Sequence, residues 1–138
     1  MKLLVVDDNR DLVEVLSTIL KLSGHGVYEA YDGTEAVERL QENCYDIVIT
    51  DAQMPVMGGV EVCNFLKAQF PGIYIIGISG SSRALEELKE AGADICLSKP
   101  VDVNELEEAV ENRVRSLRSD SDASSSYTSA NKVSSAGL

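Results

Sequence analysis

The chain of 138 residues has no tryptophan, one histidine, three cysteines and three prolines. Each shortage excludes something. The histidine, His25 in "GHG", has no second imidazole and no placed acid nearby in sequence, so it reads as a turn residue rather than a metal ligand or catalytic base. Cys44, Cys63 and Cys96 are odd in number, widely spaced and outside any CxxC, which argues against a disulfide framework and against zinc. They read as small buried or half-buried hydrophobes in a reducing compartment. Positive charge is also scarce: 12 Lys and Arg face 23 Asp and Glu, for a net charge of −11. Direct nucleic-acid binding needs cations to replace counterions on phosphates, and an anionic membrane surface needs them too, so neither partner is expected. No apolar run approaches the roughly 20 residues of a membrane span. The four apolar residues before the first acids are too few for a secretory signal. A cytoplasmic protein is expected.

What is present is a regular alternation. The length suits one domain with a single core, and the 44% hydrophobic content suits a globular one. Leu3–Val6, Val27–Ala30, Ile47–Thr50, Ile73–Ile78 and Ile95–Ser98 are short, rich in Val and Ile, and read as strands, several of them buried on both faces. Between them apolar residues recur at helical spacing, as in Leu12, Leu16, Ile19 and Leu20. Asp32 three residues before Glu35, and Asp102 three before Glu105, predict capping boxes, and Asn9 predicts a cap for the first helix. Gly24, Gly26, Pro71-Gly72 and Gly92 supply stops. Strict strand–helix alternation requires parallel pairing and right-handed crossovers. The predicted class is therefore α/β, a doubly wound five-stranded parallel sheet with five helices and a ligand site at the carboxyl ends of the strands.

Those ends carry the chemistry. Strand one runs into Asp7-Asp8, strand three ends at Asp51, strand four at Ser79, and strand five at Lys99. In a parallel sheet these tips share one edge. Two ionised carboxylates about 4 Å apart repel by about 4 kcal/mol at an effective dielectric of about 20, so three of them require a cation or a proton. Lys99 leaves two negative charges uncancelled, and a divalent cation balances them. All the ligands are hard oxygens, which selects Mg²⁺, or Mn²⁺ as the alternative, and suggests phosphate chemistry.

The stretches "LLVVDD", "DIVITDAQMPVMGG", "IIGISG" and "CLSKP", in this order and spacing, resemble the receiver domain of two-component response regulators over residues 1–118. The resemblance implies a flavodoxin-like receiver fold with strand order 2-1-3-4-5. It implies that Asp51 accepts a phosphoryl group from a sensor histidine kinase, a histidine phosphotransfer protein or a small acyl phosphate. Asp8, Asp51 and the backbone carbonyl of Gln53 would bind Mg²⁺, and Asp7 would hold it through a water. Lys99 and Ser79 would contact phosphoryl oxygens, and the bond before Pro100 would be cis. Such a domain is no enzyme beyond its own phosphorylation and dephosphorylation. It signals by altered binding to a downstream protein, or to a second copy through the last two helices.

Two positions depart from the family pattern. Cys96 stands where the family usually has the Tyr or Phe that reports phosphorylation, and Val101 follows Lys99-Pro100 where an aromatic is common. Altered switching through Cys96 is expected. Neither Gln53 nor Ser81 is a carboxylate that could orient water, so unusually fast dephosphorylation is not expected. The alternative is a degenerate receiver that acts only as a protein-interaction module. A haloacid-dehalogenase-like phosphatase would need an acid two residues after Asp51, where Gln53 stands. No glycine-rich loop follows strand one for a dinucleotide. Residues 119–138 include eight Ser and few large apolar groups, and read as a disordered tail or a truncated linker.

Overall fold

In the computed structural model the described residues are 1–130, with side chains as far as Ser119. The elements alternate without exception: β1 Lys2–Val6, α1 Arg10–Leu22, β2 Gly26–Ala30, α2 Gly33–Glu42, β3 Ile47–Asp51, α3 Gly59–Gln69, β4 Tyr74–Ser79, α4 Ser82–Ala91, β5 Ile95–Ser98 and α5 Val103–Ala130. The five strands form one parallel sheet in the order β2-β1-β3-β4-β5. The expected architecture and strand order are therefore found.

Side-chain alternation sends each strand's residues to both faces. Leu4, Val6, Val48 and Ile75 join Ala36 and Leu40 of α2, Val62 and Leu66 of α3, and Leu88 of α4 in one buried cluster. Leu3, Val5, Ile47, Ile49, Ile76 and Ile78 alternate with them along the strands and are also fully buried. This explains why the strands read as continuous apolar runs rather than as an alternating pattern.

The caps match the sequence in kind but not in every detail. Asn9 Oδ1 accepts from the Leu12 N–H at 3.1 Å, and Asp32 Oδ1 from the Glu35 N–H at 2.7 Å. Glu35 does not close a box on Asp32; its Oε1 takes the Tyr31 N–H at 2.6 Å. A Glu that reaches back to the cap appears instead at α3, where Glu61 Oε2 accepts from the Gly58 N–H at 2.7 Å. Gly24 and Gly92 have φ of 97° and 118°, the left-handed conformation that ends α1 and α4. Cys63 is buried and Cys96 half-buried as expected, whereas Cys44 is exposed. It lies between α2 and β3, beyond the reach of the core.

Met1–Glu107 is one compact unit, and a second begins at Glu108 within α5. The helix runs past Arg118 to Ala130, since residues 119–130 contain neither Gly nor Pro to stop it. Residues 131–138, the end of the Ser-rich segment, lie outside the described residues. Among the described residues no helix is long and apolar enough to cross a membrane.

Candidate functional site

The carboxyl edge of the sheet gathers the acids. β1 ends at Val6, paired with Thr50, so Asp7 leaves the sheet beside Asp51 at the tip of β3. Asp7 is fully buried. Its Oδ1 accepts from the Asn9 N–H at 2.9 Å, and its Oδ2 lies 3.0 Å from Lys99 Nζ. Asp51 is 5% exposed, and its Oδ1 lies 3.0 Å from the same Nζ. Lys99 thus bridges two carboxylates from different strands. Its backbone N–H donates to the Ser79 carbonyl at 2.9 Å, tying it to the end of β4, and the Lys99–Pro100 bond is cis. Asp8 is exposed and makes no hydrogen bond or ion pair within the described residues.

Electrostatics sharpen the picture. Burial pushes the Asp51 carboxyl above its usual range; Lys99 pulls it back down, and Asp7 and Asp8 push it up again. Burial alone would lower the Lys99 ammonium, but its close contacts with the Asp7 and Asp51 carboxylates outweigh that and raise it. Lys99 is therefore held cationic, and Asp51 is a carboxylate under strain from its surroundings.

One oxygen from each of Asp7, Asp8 and Asp51 lies within 4.8 Å of the others. Such a cluster of hard oxygens, with no nitrogen or sulfur donor, fits Mg²⁺ or Mn²⁺ and not zinc. The three carboxylates differ in what they have left to offer. Asp7 Oδ1 accepts a backbone hydrogen bond and its buried Oδ2 has the Lys99 ammonium beside it but no hydrogen bond, whereas Asp8 is uncommitted. Gln53 is exposed in the turn after β3.

The loop from Ala52 to Gly58 is shaped by close approach. A Cβ on Gly59 would stand 2.2 Å from the Asp51 carbonyl oxygen, so only glycine lets α3 start against the backbone of the acid. The Gly59 N–H donates to the Ala52 carbonyl at 2.9 Å. On the far side the Gly33 N–H donates to the Met57 carbonyl at 3.1 Å, fastening the loop to α2. Neither contact has a local signal in the sequence, since each joins residues well separated along the chain.

Comparison with known proteins agrees with the geometry. The family model described as the response regulator receiver domain matches residues 3–111. The chain belongs to the response regulator receiver domain family. Its receiver sequence is 36% identical over 120 residues to a cyclic di-GMP phosphodiesterase of Thermotoga maritima, covering 83% of this chain and 32% of that protein. It is 36% identical over 107 residues to a transcriptional regulatory protein, a CpxR homolog, of Haemophilus influenzae, covering 76% of this chain and 46% of that protein. The chain thus spans a third to a half of the length of these relatives. Among solved structures, the response regulator TrrA of Thermotoga maritima in complex with Mg²⁺-BeF matches with a TM-score of 0.76 and 30% identity, covering 81% of this chain and 97% of that one. A Francisella response regulator receiver domain matches with a TM-score of 0.78 and 28% identity, over 84% and 98%.

In this receiver domain the hydroxyl at the end of β4 is wired to α4. Ser79 is buried, and its Oγ accepts from the Ser81 N–H at 3.1 Å. Ser81 in turn caps α4, its Oγ accepting from the Ala84 N–H at 3.2 Å. Cys96 is half-buried on β5, and its thiol donates to the Leu85 carbonyl in the first turn of α4 at 3.5 Å. Burial raises this thiol above the usual range, which keeps it protonated and able to donate. In the sequence Ser81 stands out only as a position without a carboxylate; its capping of α4 and its bond to Ser79 come from the structure.

Proposed function

We propose that this receiver domain takes a phosphoryl group on Asp51 from a sensor histidine kinase or a histidine phosphotransfer protein, with Mg²⁺ held by Asp8, Asp51 and the Gln53 carbonyl and through water by Asp7. The observation that carries this reading is the convergence of Asp7, Asp8 and Asp51 within 4.8 Å beside the Lys99 ammonium. An Asp51 carboxylate oxygen attacks phosphorus as the P–N bond of the donor phosphohistidine breaks, and the bonding pair leaves with the imidazole nitrogen. Charge spreads over the equatorial oxygens in such a transfer, so positioned cations and donors do most of the work. Lys99 and the Ser79 hydroxyl supply a charge and a donor there. A bound divalent cation would neutralise phosphoryl oxygens. Asp7 Oδ1 already accepts a backbone hydrogen bond and its Oδ2 has the Lys99 ammonium beside it, which favours contact through water.

The output follows from the wiring of α4. A Ser79 hydroxyl that turns toward a phosphoryl oxygen gives up its bond from the Ser81 N–H, and Ser81 caps the first turn of α4. Cys96 would act as the switch residue in place of an aromatic ring, through its bond to the Leu85 carbonyl. A downstream protein or a second copy would read that change at the last two helices. The chemistry is limited to the domain's own phosphorylation and dephosphorylation, in the cytoplasm. The Ser-rich residues 119–138 would link or trail the receiver unit.

Intact-mass measurement after incubation with acetyl phosphate and Mg²⁺ tests the reading. A phosphoryl adduct is expected on the parent and none on Asp51→Asn. Equal adducts on both would remove Asp51 as acceptor, and no adduct on either would favour the interaction module.

A further inference from the structure

The carboxyl edge of the sheet carries three cations within the described residues: Lys99, Arg83 in the first turn of α4, and Arg10 at the start of α1. Two are already engaged. Lys99 bridges Asp7 and Asp51, each at 3.0 Å, and Arg83 lies 3.8 Å from Glu87. Arg10 has no ion pair with any carboxylate of the described residues; its guanidinium carbon sits 3.9 Å from the centroid of the Tyr31 ring. A guanidinium over an aromatic face gains attraction without losing its charge.

The platform beneath it is fixed from two sides. The Tyr31 N–H donates to Glu35 Oε1 at 2.6 Å, and its hydroxyl donates to Glu29 Oε1 at 3.1 Å. Tyr31 follows Ala30, whose carbonyl accepts from the Asp7 N–H at 3.2 Å. Tyr31 therefore leaves the sheet at the end of β2, next to β1, on the edge that carries Asp7. Arg10 is two residues after Asp8, so their Cα atoms are at most about 7.6 Å apart. A mobile, hydrated cation at this place would contribute little. A stacked one presents a constant positive charge on the rim of a site that repels anions, in a chain of net charge −11.

We propose that Arg10, held by Tyr31, is a positioning residue that steers the anionic phosphoryl group of the donor toward Asp51. The proposal rests on Asp51 as acceptor and adds a specificity rule: the more negative the donor, the more the reaction depends on Arg10. At about 8 Å in water, one charge acting on a dianion changes the encounter rate by about fivefold, and added salt screens the effect.

The test measures phosphorylation rates by intact mass at saturating Mg²⁺, with dianionic acetyl phosphate and monoanionic phosphoramidate, at low salt and at 0.5 M NaCl (about 4 Å of screening length). For Arg10→Gln we expect acetyl phosphate to slow about fivefold at low salt, phosphoramidate about twofold, and both differences to vanish at high salt. Tyr31→Leu keeps the charge but frees it, and should slow acetyl phosphate by about twofold. Arg10→Gln should also bind Mg²⁺ more tightly, because a positive charge has left the rim. Equal slowing of both donors at either salt would mark a merely structural role and overturn the proposal, as would an unchanged rate. Failure of the acceptor reading appears separately, as a phosphoryl adduct on Asp51→Asn equal to that on the parent.

Discussion

Replacing Asp51 by Asn should make the cation-free protein more stable, although it removes an ion pair with Lys99. The Lys99 attraction, at 3.0 Å, is worth about 5 kcal/mol at an effective dielectric of about 20. Opposing it are Asp7 and Asp8, whose oxygens lie within 4.8 Å. Each repels Asp51 by about 3.5 kcal/mol or more on the same scale, with the share of exposed Asp8 cut to about half by solvent. Attraction and repulsion then nearly cancel, and the desolvation of a carboxylate only 5% exposed decides the sign. Asn has the same shape and still offers Lys99 an oxygen. We expect a gain of about 1–2 kcal/mol in EDTA at neutral pH, a rise of about 4–8 °C in the unfolding midpoint for a domain of this size.

Linkage gives an independent check. The folded state raises the Asp51 pKa above its ordinary 3.8, so the native protein binds that proton more tightly than the unfolded chain. The penalty is fully present above the folded pKa and is relieved as pH falls through it toward 3.8. The gap between variant and parent should therefore narrow on acidification. It should also narrow with Mg²⁺ at millimolar levels, which stabilises the parent by mass action and the variant far less. Urea unfolding of both proteins, with EDTA or Mg²⁺ and at two pH values, measures all of this. A variant less stable than the parent by 1 kcal/mol or more in EDTA would show that the Lys99 pair dominates, and the reasoning would fail.

Three further outcomes are expected. Mg²⁺ affinity, read by titration calorimetry, should fall most for Asp8→Asn, less for Asp7→Asn and hardly at all for Asp11→Asn, because Asp11 belongs to the first turn of α1. Gly59→Ala should cost about 3 kcal/mol by overpacking, since its Cβ would meet the Asp51 carbonyl oxygen at 2.2 Å; thermal unfolding reads the loss, and weakened Mg²⁺ binding should accompany it. Ser81→Ala should cost about 1 kcal/mol through loss of the α4 cap, speed hydrogen exchange at the Ala84 amide, and blunt the exchange response of α4 to Mg²⁺ with beryllofluoride, leaving the phosphorylation rate on Asp51 near that of the parent.

The layers, and the edge of the sheet that matters, follow from the order of residue types along the chain. Short β-branched runs alternating with helical spacing leave one topology class, and in that class every strand tip falls on the same side, so Asp7, Asp8, Asp51, Ser79 and Lys99 could be grouped before any coordinate was known. Periodicity is local and survives without tertiary information. What each of these groups does with its neighbours is not local. That Lys99 touches Asp7 and Asp51, that Asp7 is buried while Asp8 is open, that Glu35 bonds Tyr31 rather than Asp32, and that Arg10 rests on Tyr31 all depend on sub-ångström placement of side chains from different strands and helices. Sheet twist and crossover packing set those placements, and no spacing along the chain encodes them. The same holds for Cys96: its departure from the family pattern was plain in the sequence, but only the packing of β5 against α4 decided that its thiol meets the Leu85 carbonyl.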